Sequence, residues 1–131
     1  YITYQVDENY NVVGSYGPTK DKYFYTFKDG SGGAYCTFMG GDSKITQVRT
    51  STDNGRRMLL LKDSFGNALP GYLFYSFEEI HVVDVRYFTR NIVEYVRENG
   101  ITDLILGNNV AFASAGTTIS AYNKFLTQRS R

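Results

Sequence analysis

Residues 58–61 form the unbroken apolar run MLLL, which stops abruptly on Lys62-Asp63-Ser64-Phe65-Gly66-Asn67. A short all-apolar segment closed by polar and glycine residues suits a strand buried on both faces, as strands are in parallel sheets. Two similar runs follow, at 80–85 and 104–106. Stretches of helical character lie between and after them. Residues 67–76 carry Pro70, tolerable in a first turn. Residues 89–99 have Thr89 at the expected N-cap, apolar Ile92, Val93 and Val96, and Gly100 just past the end. Residues 117–128 set Ile119, Tyr122, Phe125 and Leu126 on one face. The order β-α-β-α-β-α predicts a parallel sheet with right-handed crossovers, whose ligand sites lie at the carboxyl ends of the strands.

The first part of the chain differs. Eight of its thirteen glycines fall within residues 1–57. There, aromatic and β-branched runs at 1–6, 12–16, 22–28, 34–39 and 44–50 are separated by turn signals such as Gly17-Pro18, Asp29-Gly30 and Gly40-Gly41-Asp42. This pattern reads as antiparallel strands and hairpins. We therefore expect two regions: a β-rich segment over 1–57 and a βαβαβα half over 58–131. The fold class is α/β, a flavodoxin-like parallel sheet flanked by helices with an N-terminal β-rich extension.

Charge and composition narrow the function classes. A net charge of +1 over 131 residues argues against a nucleic-acid footprint. Twelve tyrosines and nine phenylalanines argue against disorder. Cys36 is the only cysteine, so no internal disulfide can form, and it reads as a small buried hydrophobe. No apolar window is long enough to span a membrane, and no signal peptide is visible. The chain begins at Tyr1 rather than at Met, which reads as a processed product or a fragment.

Ser64 stands at the expected strand-to-helix turn. Its hydroxyl would project at the active edge of the sheet, and backbone N–H groups there would favour developing negative charge. The same residue also suits a plain N-cap. Asn108 and Asn109 follow the third strand, where an amide could donate to the same oxyanion, or simply serve a turn. Asp84 and Arg86 share a face, as a rim ion pair or with Arg86 orienting substrate. His81, the only histidine, begins the second buried strand at the wrong end for a catalytic base and reads as structural. A triad needs a base within reach of the serine, and none is available here. No metal-ligand cluster and no cofactor-binding motif is present, so neither metal nor cofactor is expected.

These residues resemble those of SGNH hydrolases, which carry a Gly-Asp-Ser block after the first strand and a Gly-x-Asn-Asp block after a later one. Here the blocks read Lys62-Asp63-Ser64 and Gly107-Asn108-Asn109. The stretches TFMGGDSKI (37–45), LLLKDSFGNALPGYL (59–73), EEIHVVDVRYF (78–88) and NGITDLILGNN (99–109) are similar to the DHHW and alginate O-acetyltransferase-like branch. The resemblance implies acyl transfer, O-acetylation or ester hydrolysis on cell-surface carbohydrate in an extracytoplasmic, bacterial setting. By the same resemblance Ser64 is acylated and Asn109 stabilises the oxyanion. Phe65 and Gly66 contribute backbone N–H groups, and Arg86 and Asn108 are further oxyanion or substrate candidates. The partners implied are an acyl donor and a carbohydrate acceptor.

In that branch the catalytic Asp and His come from an Asp-x-His motif upstream of the serine. No such motif stands in residues 1–63. The expectation is a C-terminal part of a longer protein, inactive alone, whose missing N-terminal segment supplies the acid–base pair. The alternatives are a non-catalytic glycan-binding or structural module and, more remotely, a receiver-like signalling domain built around Asp63 and Asp84.

Overall fold

The computed structural model describes residues 2–6, 12–15 and 23–130, with side chains from residue 23 onward. Strands β1 (Ile2–Val6), β2 (Val12–Ser15), β3 (Ile45–Arg49), β4 (Arg57–Lys62), β5 (Glu79–Asp84) and β6 (Asp103–Gly107) form one sheet in the order β2-β1-β3-β5-β4-β6. β4 lies parallel to both β5 and β6, through pairs such as Leu61↔Val83 and Leu61↔Leu106. This is the parallel unit expected from the three apolar runs. β3 runs antiparallel to β5 and parallel to β1, so the sheet as a whole is mixed. The chain is α/β, with helix α1 (Ile92–Glu98) following β5 and helices α2 (Val110–Ser114) and α3 (Gly116–Thr127) following β6.

Alternation along β4 divides the core. Met58 and Leu60 face one layer with Tyr23, Met39, Phe74, Phe77, Ile80 and Val82. Leu59 and Leu61 face the other with Val83, Val85, Phe88, Ile92, Tyr95 and Phe125. The first layer is covered by the irregular segment around 23–39 and by a 3-10 helix, Ser64–Leu73; the second is covered by α1 and α3. β5 is buried along its whole length, which fixes its register against both neighbours.

Several expectations change. The run at 34–39 is not a strand: Gly32–Thr37 forms a 3-10 helix, and only an isolated Phe24↔Phe38 bridge has sheet character there. Cys36 within it is half-buried rather than buried. Residues 67–76 do not form an α-helix, since the 3-10 helix starts earlier and ends at Leu73. Thr89 is not the N-cap of α1. Asn91 is, its side chain accepting from the N–H groups of Val93 and Glu94, while the Thr89 hydroxyl accepts from Lys44 Nζ. Gly100 does follow the helix, at φ 61°, a left-handed conformation that glycine adopts freely.

The run at 104–106 is not a doubly buried strand. β6 pairs only with β4 among the described residues, and Leu104 and Leu106 are 55% and 60% exposed. Only Ile105 packs on the core. On α3, Phe125 is buried and Tyr122 half-buried, but Ile119 and Leu126 face solvent. Thr118 is buried in their place and donates to the Phe112 carbonyl at 2.6 Å. The turn expectations at 7–11 and Gly17-Pro18 lie outside the described residues. No helix among the described residues is long and apolar enough to cross a membrane.

Candidate functional site

Ser64 follows β4 at the carboxyl end of the parallel unit, between the ends of β5 and β6. The turn that presents it is held by Asp63. One carboxylate oxygen of Asp63 accepts from the Phe65 N–H at 2.8 Å, and its carbonyl accepts from the Gly66 N–H at 3.1 Å. The other carboxylate oxygen accepts from both the backbone N–H and the side-chain amide of Asn109, each at 2.8 Å. Asn109 in turn caps α2, its Oδ1 accepting from the Phe112 N–H. A single carboxylate thus ties the end of β4 to the end of β6.

Gly66 completes the lock. A Cβ there would stand 2.5 Å from Lys62 Cβ and 3.2 Å from the Gly107 carbonyl oxygen. Only glycine lets the turn lie this close to both strand ends.

The candidate residues named from sequence therefore gather at one rim with distinct partners. The N–H groups of Phe65 and Gly66 are engaged inside the turn, and the Asn109 amide is engaged with Asp63. Neither the Ser64 N–H nor its hydroxyl has a partner among the described residues. Asn108 accepts from the Tyr122 hydroxyl, while its own Nδ2 is buried without a partner. Burial raises the Tyr122 pKa.

Beneath the turn lies a charge cluster that the sequence reading did not assemble. Lys62, 1% exposed, reaches Asp84 at 2.9 Å and Asp42 at 3.3 Å. Arg86 grips Asp84 through Nε and Nη2, at 2.9 and 2.6 Å, and meets Asp42 at 2.6 Å. Two carboxylates and two cations balance, as buried charge requires. Burial raises the Asp42 carboxyl, but donors from Tyr35, Asn67 and Arg86 and the Lys62 charge outweigh it and hold the group well below the usual range. The same contest, won by Arg86 and Lys62, lowers Asp84. Arg86 is held firmly protonated by Asp84 despite partial burial.

Tyr35 and Asn67 connect this cluster to Ser64. The Tyr35 hydroxyl donates to Asp42 at 2.6 Å and lies 3.3 Å from the Ser64 carbonyl oxygen. The Asn67 amide donates to the Tyr35 oxygen and to Asp42, at 2.9 and 3.0 Å, leaving its buried Oδ1 without a partner. Burial and the adjacent Asp42 push the Tyr35 phenol up to about 12. Beside Ser64 opens a cavity of about 470 Å³, walled by Ala34, Tyr35, Phe38, Phe65, Asn67 and Ala68. The signals in the sequence were a lysine closing a doubly buried strand, which demands a counter-charge, and an aspartate after Gly40-Gly41.

His81 sits in mid-strand on β5, fully buried, on the layer of α1. Its Nδ1 lies 2.7 Å from the Tyr95 hydroxyl and its Nε2 2.7 Å from Glu79. Burial lowers its pKa against the opposing pull of Glu79. Both ring nitrogens are thus engaged within the core.

No protein-family model and no curated protein matches the sequence. Among solved structures, a DHHW family protein from Eubacterium siraeum is 36% identical, with a TM-score of 0.71, over 84% of this chain and 35% of that one. Bacillus cereus PatB1 is 25% identical, with a TM-score of 0.56, over 65% of this chain and 28% of its own. PatB1 with a sulfonyl adduct is 26% identical, with a TM-score of 0.57, over 70% and 30%. The chain spans about a third of the length of each of these structures. Over that span, what it resembles in both sequence and fold is a DHHW family protein.

Proposed function

We propose that the chain is the nucleophile-bearing part of a serine-dependent acyl transferase or esterase acting on cell-surface carbohydrate outside the bacterial cytoplasm. The observation that carries this reading is the Ser64 hydroxyl. It has no partner among the described residues, stands at the carboxyl end of a parallel strand, opens on a cavity, and rests on a turn locked by Asp63 and Asn109. A sulfonyl adduct on one structure of similar fold is in keeping with a nucleophile in this architecture.

In the proposed reaction Ser64 Oγ attacks the donor's acyl carbonyl while a base takes its proton. The carbonyl oxygen becomes an oxyanion. The Ser64 N–H is the donor left in the turn to meet it, the Phe65 and Gly66 N–H groups being engaged within the turn and the Asn109 amide being committed to Asp63. Collapse expels the donor alcohol, which takes up the proton, and leaves an acyl-serine. A carbohydrate hydroxyl or water then attacks that ester and regenerates Ser64. The base and its orienting carboxylate come, in this reading, from polypeptide beyond these 131 residues, in keeping with the partial span of the matched structures.

A second reading, a glycan-binding module without chemistry, is favoured by the exposed ring of Phe65 beside Ser64. A fluorophosphonate probe on the full-length protein separates the two. Labelling that disappears in Ser64→Ala supports the enzyme. Equal labelling of both proteins, or of neither, rejects Ser64 as nucleophile.

A further inference from the structure

We infer that the cavity beside Ser64 is an acyl-chain pocket built for an acyl group longer than acetyl, with the carbohydrate bound elsewhere. This rests on Ser64 as the nucleophile and adds what the acyl donor carries.

The argument starts from the polar atoms of the wall. The Tyr35 hydroxyl and the Asn67 amide hydrogens, which could have recognised sugar hydroxyls, are already engaged, the hydroxyl with Asp42 and the amide with Asp42 and the Tyr35 oxygen. The Asn67 carbonyl oxygen is buried out of reach of solvent. What remains toward the cavity is mainly carbon, from Tyr35, Phe38, Phe65, Ala34 and Ala68. The polar group left at its edge is Ser64 itself. A ligand suited to this surface carries one polar centre at Ser64 and is otherwise apolar, which describes an ester carbonyl with an alkyl chain. A sugar ring would lose its hydration there with few partners in return.

Size supports the same conclusion. A cavity of about 470 Å³ lies in the range that holds whole small-molecule ligands, about 300–1,000 Å³. An acetyl methyl, smaller than the volume of two or three waters at about 30 Å³ each, would leave most of it unfilled. The two alanines keep the space open, since both are partly or fully exposed and neither is required by the core.

The test uses neutral acyl analogues so that binding is read without turnover. Acetamide, butanamide and hexanamide are titrated against the full-length protein and followed by NMR. We expect about a fourfold gain in affinity per added methylene, with shifts centred on Ala34, Phe38 and Ala68. Ala34→Leu and Ala68→Leu, each checked by thermal melting, should flatten that dependence. Equal dissociation constants for acetamide and hexanamide, or shifts elsewhere, would overturn the inference. Methanesulfonyl and hexanesulfonyl fluoride, with mass-spectrometric detection at Ser64, separate this from the nucleophile reading. Amide binding that lengthens normally with no sulfonylation by either reagent removes the nucleophile and leaves an apolar pocket. Sulfonylation by both at equal rates, without length-dependent amide binding, removes the pocket and leaves the nucleophile.

Discussion

Asp63 and Asn109 lie 46 residues apart in sequence and are joined by two 2.8 Å hydrogen bonds to one carboxylate oxygen. Each also caps its own turn: Asp63 accepts from the Phe65 N–H, and Asn109 accepts from the Phe112 N–H. The pair therefore does in side chains what the sheet does in backbone, fixing the end of β4 against the end of β6. Ser64 inherits its position from this lock.

The lock should appear as energetic coupling. Asn109→Ala removes a cap worth about 1 kcal/mol and one hydrogen bond to a carboxylate worth about 1.5–3 kcal/mol, so a loss of about 3 kcal/mol is expected in urea denaturation. Asp63→Ala should cost at least as much. In the double variant the two losses should fall short of additivity by about 1 kcal/mol or more. Strict additivity would show that the two residues act independently.

Lys62 is the side chain on which the cluster beneath the turn depends. Lys62→Met leaves Asp84, which is fully buried, with Arg86 alone. Removing one member of a buried ion pair costs about 3 kcal/mol, and that is the expected loss of unfolding free energy. A loss within about 0.5 kcal/mol would mean that Arg86 alone neutralises both carboxylates. The acid limb follows the same chemistry. Asp42 and Asp84 titrate below the ordinary 3.8 in the folded chain, so their stabilisation is complete above that value and is lost as pH falls beneath it.

His81 gives a separate pH dependence at milder acidity. The neutral ring donates from Nε2 to Glu79 and accepts the Tyr95 hydroxyl proton at Nδ1. Its pKa lies below the ordinary 6.5 in the folded chain, so below that pH the unfolded chain takes up a proton that the native core resists. Stability should be level above 6.5 and fall below it, with a slope of at most about 1.4 kcal/mol per pH unit. His81→Gln keeps a donor for Glu79 but does not titrate. Its melting temperature should be flatter than wild type between pH 6.5 and 5, and an unchanged slope would assign the dependence to another group.

Periodicity made the parallel unit legible. Residues 58–61 and 80–85 had no polar face to expose, so burial on both sides followed, and Ser64 fell at a carboxyl edge because the run ended there. The charge cluster was not legible, because Asp42, Lys62, Asp84 and Arg86 come from three separate segments that only the sheet order brings together. Asn109 was legible as a rim residue, yet the identity of its partner depended on which way Asp63 turned. The 34–39 run has strand-like composition, but tertiary contacts override it: the Tyr35 ring anchors to Asp42 and the backbone winds into a 3-10 turn.

β6 tests how far an apolar run can mislead. Leu59 and Leu104 are register partners on adjacent strands and share one face of the sheet, yet Leu59 is fully buried and Leu104 is 55% exposed. The difference is coverage: α1 and α3 pack over Leu59, Leu61 and Val83 and leave the β6 margin open. Leu59→Ala should therefore cost about 3 kcal/mol through lost burial and an unfilled cavity. Leu104→Lys should stay within about 0.5 kcal/mol, as a surface substitution does, while placing a charge on an open strand edge that discourages edge-to-edge pairing. Both are read from denaturation midpoints at constant m-value. If Leu104→Lys in the full-length protein proved as costly as Leu59→Ala, that margin would be covered there by a segment beyond these 131 residues.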